Sequence, residues 1–145
     1  MKIAVINGAN LNLLGERDPS KYGSITIDGI KALLENSFPM VEFQFFQSNV
    51  EGEIVNFLQS IRNSGYHVII NPGGYAHTSV VIRDALELIK SIKIEVHLSH
   101  LANREEFRQR LITATACDGY ISGFRESGYK AAVYLIGDIL GKEQK

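Results

Sequence analysis

The chain has 145 residues, 45% of them hydrophobic and 21% charged, which is the size of one domain with a proper core and the composition of an ordinary soluble globular protein. A formal net charge of −1 excludes any general attraction to nucleic acid or acidic membranes, so an anion site has to be local. The single cysteine, Cys117, excludes an internal disulfide and fits a reducing cytosol.

The N-terminus "MKIAVING" is too short and breaks too early for a signal peptide, and no later run is long and apolar enough to span a membrane. "KIAVIN" therefore reads as the first strand of a cytoplasmic protein. It leads into "NGANLNLLGERDPSKYG", long for a strand-to-helix connection and so a candidate functional loop. "ITIDGIKALLENSF" has helical period, with Ile27, Ile30, Leu33 or Leu34 and Phe38 recurring every three or four residues. "VEFQFFQ" is the second strand. "EGEIVNFLQSIRNSG" is a second helix, with Ile54, Phe57, Leu58 and Ile61 on its apolar side and Gly65 as a stop. "HVIIN" is the third strand, followed by "NPGGYAHTS" and the helical "HTSVVIRDALELIKSI", with Thr78 a candidate N-cap. "IKIEVHLS" is the fourth strand. "NREEFRQRLITATA" reads as a helix in which Asn103 caps and Glu106 stands in capping-box position. "GYISG" is the fifth strand, and "ESGYKAAVYLIGDILG" closes the chain with Ala132, Leu135, Ile136 and Ile139 on one stripe.

Strand and helix thus alternate five times, with no repeat, low-complexity tract or linker, which predicts one domain over 1–145. Alternation of this kind gives an α/β protein with a mostly parallel sheet and helices on both faces. Five strands suit a flavodoxin-like doubly wound sheet better than an eightfold barrel. In such sheets the ligand lies beyond the carboxyl ends of the strands, near the switch in strand order.

Those ends lack GxGxxG and GxxxxGK[ST], so neither a dinucleotide nor a P-loop nucleotide is expected. A phosphorylated receiver would carry carboxylates where Asn7, Asn10 and Asn71 stand. "HLSH" is not HExxH, and no histidine–carboxylate cluster has ligand spacing, so no metal is expected either. What remains is amides, histidines, arginines and a tyrosine. "NPGGYAHTS" ends a strand with Asn71, brings Gly73 and Gly74 where backbone can approach a ligand, and sets His77 before a helix; a plain capped turn would look the same. His97 and Ser99 end the fourth strand, His97 reading equally as a hydrogen-bonded strand-end histidine. Arg104 and Arg108, four apart, share one face of the expected helix, where the commoner fate is solvation beside Glu105 and Glu106. In "GERDPSKYG", Tyr22 follows Arg17 by five residues. A free phenol titrates near ~10, so a tyrosine base needs cations beside it, and reaching neutrality takes roughly 4 kcal/mol, which two close guanidiniums can supply in a water-poor site. A phenolate of this kind could remove a proton beside a carbonyl, with a histidine across the pocket protonating a departing hydroxyl.

Nearly end to end, the sequence resembles the type II 3-dehydroquinate dehydratases of the shikimate and quinate pathways. The resemblance rests on "INGANLNLLGERDPSKYG", "NPGGYAHTSVVIRDAL", "IEVHLS" and "NREEFR", in family order and spacing. It implies a flavodoxin-like subunit of a homo-dodecamer, a tetramer of trimers, that dehydrates 3-dehydroquinate without metal, cofactor or Schiff-base lysine. It also implies that Tyr22 is the general base, Arg17 the cation beside it, His97 the acid, and Asn10 the enolate stabiliser acting through a bound water. Asn71, His77, Arg108 and the backbone of Leu98 and Ser99 resemble substrate contacts, and Arg104 a second cation near the tyrosine. Asp84 is similar to an aspartate that reaches a neighbouring subunit's site, and Glu95 to a partner that orients His97. The chain departs from the family pattern at Ala9, where proline is usual, and at His100, where asparagine is common. The competing reading is a non-catalytic flavodoxin-like module for a flavin or small anion, which a yellow purified protein would favour.

Overall fold

The computed structural model describes residues 1–143. Five strands, β1 (Lys2–Asn7), β2 (Glu42–Gln47), β3 (His67–Asn71), β4 (Lys93–His97) and β5 (Gly119–Ser122), form one sheet in the order β2-β1-β3-β4-β5. All neighbouring pairs are parallel. The chain first steps outward from β1 to β2 and then returns past β1 to β3, so strand order reverses between β1 and β3. This is the expected flavodoxin-like winding.

Helices α1 (Pro19–Tyr22), α2 (Ile27–Ser37), α3 (Glu51–Ile61), α4 (Val80–Glu87) and α5 (Ser127–Glu143) flank the sheet. Alternate strand residues point to opposite faces, and each face has its own core. On one, Ile3, Val5, Ile69 and Val96 pack with Ile30 and Leu34 of α2 and with Tyr129, Ala132, Val133 and Ile136 of α5. On the other, Ala4, Ile6, Val68 and Ile70 meet Ile54 and Leu58 of α3 and Ile82 and Leu86 of α4. Burial on both faces explains why β1 and β3 read as unbroken apolar runs rather than alternating ones. Local signals set the helix starts. Thr26 Oγ1 accepts from Gly29 N at 3.0 Å for α2, and Asp18 with Pro19 starts α1.

Three local expectations need correction. The N-cap of α4 is Ser79, whose Oγ accepts from Ile82 N at 3.0 Å, one residue beyond Thr78. The buried stripe of α5 runs through Tyr129, Ala132, Val133 and Ile136, while Leu135 is exposed and Ile139 only partly covered. The largest change is in "NREEFRQRLITATA", which forms no α-helix: 3₁₀ turns at Glu106–Gln109 and Thr113–Ala116 lie within it, and a third, Leu101–Asn103, ends at its first residue. Asn103 makes no cap, and Glu105 precedes the middle turn without a side-chain cap bond. Bonds to the rest of the domain hold this segment instead: Ile112 N donates to Ala76 O at 2.7 Å, Gln109 Nε2 to Leu101 O at 2.6 Å, and Leu101 N to Ser122 Oγ at 3.0 Å.

Candidate active site

The carboxyl ends of β1 and β3 meet at the switch point. Gly8 N donates to Asn71 O at 2.8 Å, and a Cβ on Gly8 would lie 2.2 Å from Pro72 O. Gly73 has φ +64°, and its Cβ would lie 2.7 Å from Ala9 O, so the two loops approach as closely as backbone allows. Asn10 adopts the left-handed conformation at φ 68°, which asparagine tolerates, and its N–H donates to Asn49 Oδ1 at 2.9 Å. The strand-end glycines and amides are thus consequences of tight loop packing as much as of chemistry.

Tyr22 ends the short α1. Arg17 Nη2 donates to Tyr22 Oη at 2.8 Å, with the guanidinium carbon 3.9 Å from the ring centre. From the far side of the chain, Arg104 Nη1 donates to the same oxygen at 3.2 Å and to Ser99 Oγ at 2.9 Å. Arg104 and Arg108 do not share a helical face, because there is no helix. They share a carboxylate: Glu105 Oε2 accepts from Arg104 Nε at 3.2 Å and from Arg108 Nε at 2.9 Å. Its own backbone N–H, then the Arg108 hydrogen bond and the charges of both arginines, hold the Glu105 carboxyl down to about 2.

Glu95 and His97 lie two apart on β4, hence on one face of the sheet. His97 Nε2 donates to Glu95 Oε1 at 2.7 Å, and Glu95 is fully buried. The second Glu95 oxygen accepts from Thr113 Oγ1 at 2.5 Å. This leaves Nδ1 as the His97 nitrogen available to a ligand. His77 is fixed from its other side: a carbonyl only accepts, so Nδ1 carries the hydrogen it gives to Arg110 O at 2.9 Å. Burial lowers the His77 pKa below its ordinary value, aided by the charges of His97 and Arg108 and opposed by the Arg110 bond. The neutral ring then presents Nε2 as an acceptor.

These groups surround one cavity of about 100 Å³. It is lined by Asn10, Arg17 and Tyr22 from the first loop, Asn71 and His77 from the third, and His97, Leu98, Ser99, Arg104 and Arg108 from the fourth. Of the residues singled out in the sequence, Glu95 stands directly behind His97, and Asp84 alone lies apart. Asp84 is exposed on α4, with Arg83 Nη1 at 3.3 Å. Thr113 and Asn49 carry no signal in the sequence, and Glu105 reads there only as a solvated neighbour of the arginines; the roles of all three come from tertiary placement. Tyr129 had a usable signal, since an aromatic hydroxyl on the buried face of a helix requires a partner. Among the described residues, no group of three or more His, Cys, Asp or Glu could hold a metal ion, and no helix is long and apolar enough to cross a membrane.

Comparison with known proteins adds an independent line. The family model for class II dehydroquinase matches residues 1–136. A 3-dehydroquinate dehydratase of Thermotoga neapolitana is 44% identical over 147 aligned positions, covering 100% of both chains. One from Helicobacter pylori is 45% identical, over 98% of this chain and 88% of its own. The crystal structure of a type II dehydroquinase from Butyrivibrio crossotus superposes with a TM-score of 0.89 at 39% identity, covering 94% of this chain and 97% of that one. In sequence and in fold, over almost its whole length, the chain belongs to the class II dehydroquinase family.

Proposed function

We propose that the protein reversibly dehydrates 3-dehydroquinate to 3-dehydroshikimate through an enolate, as a step of the shikimate pathway. Tyr22, as phenolate, takes the proton from the carbon beside the ketone, and the C–H electron pair moves into the enolate. The enolate then collapses and breaks the C–O bond of the adjacent hydroxyl, to which His97 delivers a proton, so that water leaves. Arg17 and Arg104 stabilise the negative Tyr22 oxygen, and Asn10 steadies the enolate through a bound water. Glu95 orients His97. Asn71, His77, Arg108 and the backbone of Leu98 and Ser99 hold the substrate. No metal and no imine enters the scheme. The active assembly is a cytoplasmic dodecamer, a tetramer of trimers, in which Asp84 serves a neighbouring subunit's cavity.

One observation carries the reading. A phenol oxygen within hydrogen-bond distance of two guanidiniums shares a small cavity with a histidine backed by a buried carboxylate. That is a base and an acid disposed around one ligand. The substrate follows from the names of the relatives at 44% and 45% identity. The test is ultraviolet absorbance on adding 3-dehydroquinate with a chelator present, where the conjugated enone of the product should appear. Borohydride added with substrate should leave the enzyme active. No absorbance change from folded protein would overturn the activity, and inactivation with a mass adduct on Lys21 would replace the enolate by an imine.

A further inference from the structure

Tyr129 stands in the first turn of α5 and is completely buried. Its hydroxyl lies between the two amides that end β1 and β3, 2.6 Å from Asn7 Oδ1 and 3.1 Å from Asn71 Nδ2. The direction of these bonds is fixed by a group outside them. Gly73 N–H can only donate, and it lies 3.1 Å from Asn71 Oδ1. That sets the oxygen of the Asn71 amide toward Gly73 and its nitrogen toward Tyr129. The nitrogen in turn can only donate, so Tyr129 Oη accepts from Asn71 and gives its one hydrogen to Asn7. One backbone N–H thereby dictates the polarity of the whole chain of bonds. Burial pushes the Tyr129 pKa well above its ordinary value, against the smaller effect of the Asn71 bond, so the hydrogen that the chain requires stays in place.

Asn71 also lines the cavity. With its oxygen committed to Gly73 and one amide hydrogen committed to Tyr129, the second amide hydrogen is what it can offer a ligand. We infer that Tyr129 is a positioning and specificity-determining residue: its hydroxyl holds the Asn71 amide with N–H toward the cavity, so that this point of the site selects an oxygen acceptor on the substrate. The same hold keeps Asn71 Oδ1 on Gly73 and so secures the tight turn against Ala9. The inference rests on the reading that Asn71 contacts substrate.

Steady-state kinetics of Tyr129→Phe with 3-dehydroquinate test it, because the ring remains and only the hydroxyl goes. KM should rise about tenfold, the scale of one oriented hydrogen bond lost to both ground and transition states, with kcat within about twofold of the parent. Ile136→Val, a buried change on the same helix, should lower Tm without moving KM. In an Asn71→Ala background, adding Tyr129→Phe should produce no further rise in KM, since both changes remove the same contact. Asn7→Ala interrupts the chain at its other end and should also raise KM, which keeps the test available if Tyr129→Phe does not fold. An unchanged KM in either folded variant, or full additivity with Asn71→Ala, overturns the inference while an active parent leaves the proposed function standing. An inactive parent overturns both.

Discussion

Two guanidiniums meet one phenol oxygen in this site, and they arrive from different parts of the chain: Arg17 from five residues away, Arg104 from 82. Packing alone does not call for such a convergence, because Tyr22 is only partly buried and its ring, not its oxygen, packs against the core. Its chemical consequence is electrostatic stabilisation of the oxygen when it carries negative charge. Tyr22→Phe preserves the ring over which Arg17 lies 3.9 Å away and deletes the oxygen alone. Turnover should fall by at least about a hundredfold, the usual loss of a general base, while substrate binding persists. Substrate deuterium exchange in heavy water separates the roles. Tyr22→Phe should stop exchange beside the ketone, whereas His97→Ala should impair loss of hydroxyl and leave exchange comparatively intact. Parental exchange by Tyr22→Phe would remove Tyr22 as the base.

Among the elements, the β4–β5 connection departs most from its sequence pattern. "NREEFRQRLITATA" has helix formers and a capping-box spacing, yet propensity is a weak prior that tertiary contacts override. Here the segment gains bonds to Ala76 and Glu95, and Leu101 just before it one to Ser122, that a helix leaving β4 would forgo. The strands were legible because burial on both faces forces unbroken apolar runs, and the grouping of the candidate residues was legible because they lie at strand ends that the winding brings together. Thr113 was not, since a threonine within an expected helix carries no local mark of its hydrogen bond, and for Tyr129 the apolar stripe showed only that its hydroxyl needs a partner, not which one. With no helix to align them, Arg104 and Arg108 are linked to each other through Glu105. Glu105→Ala should free Arg108, leave Arg104 held only by Tyr22 and Ser99, and raise KM several-fold. Tm should hardly change, because ion pairs to so exposed a carboxylate contribute little to stability. A parental KM would mean that Ser99, Tyr22 and the cavity walls suffice to aim the arginines.

At the scale of the whole molecule, Asp84 stands apart from the cavity of its own chain. Asp84 projects from α4 beside Arg83, and a surface ion pair with that neighbour would be its entire role in a lone chain. The surroundings of Asp84 argue for more. Val80, Val81 and Leu88 are each more than half exposed on or just beyond the same helix, and with Asp84 they follow helical spacing along its outer side. An apolar stripe around a carboxylate suits a contact surface better than open water, and in the proposed assembly the contact is with another copy of the chain. If that contact delivers Asp84 to a neighbouring cavity, assembly and substrate affinity are coupled. Asp84→Ala should then weaken binding even when light scattering reports the parental oligomer, and dilution or mild denaturant that releases single folded subunits should weaken it as well. Charge replacement by Asp84→Asn should act in the same direction as Asp84→Ala, because the hydrogen-bonding shape is kept while the anion is lost. Calorimetric titration with a non-reacting substrate analogue, set beside light scattering on each sample, gives the comparison. Full affinity in an isolated subunit would confine the site to one chain and leave α4 with a purely structural face.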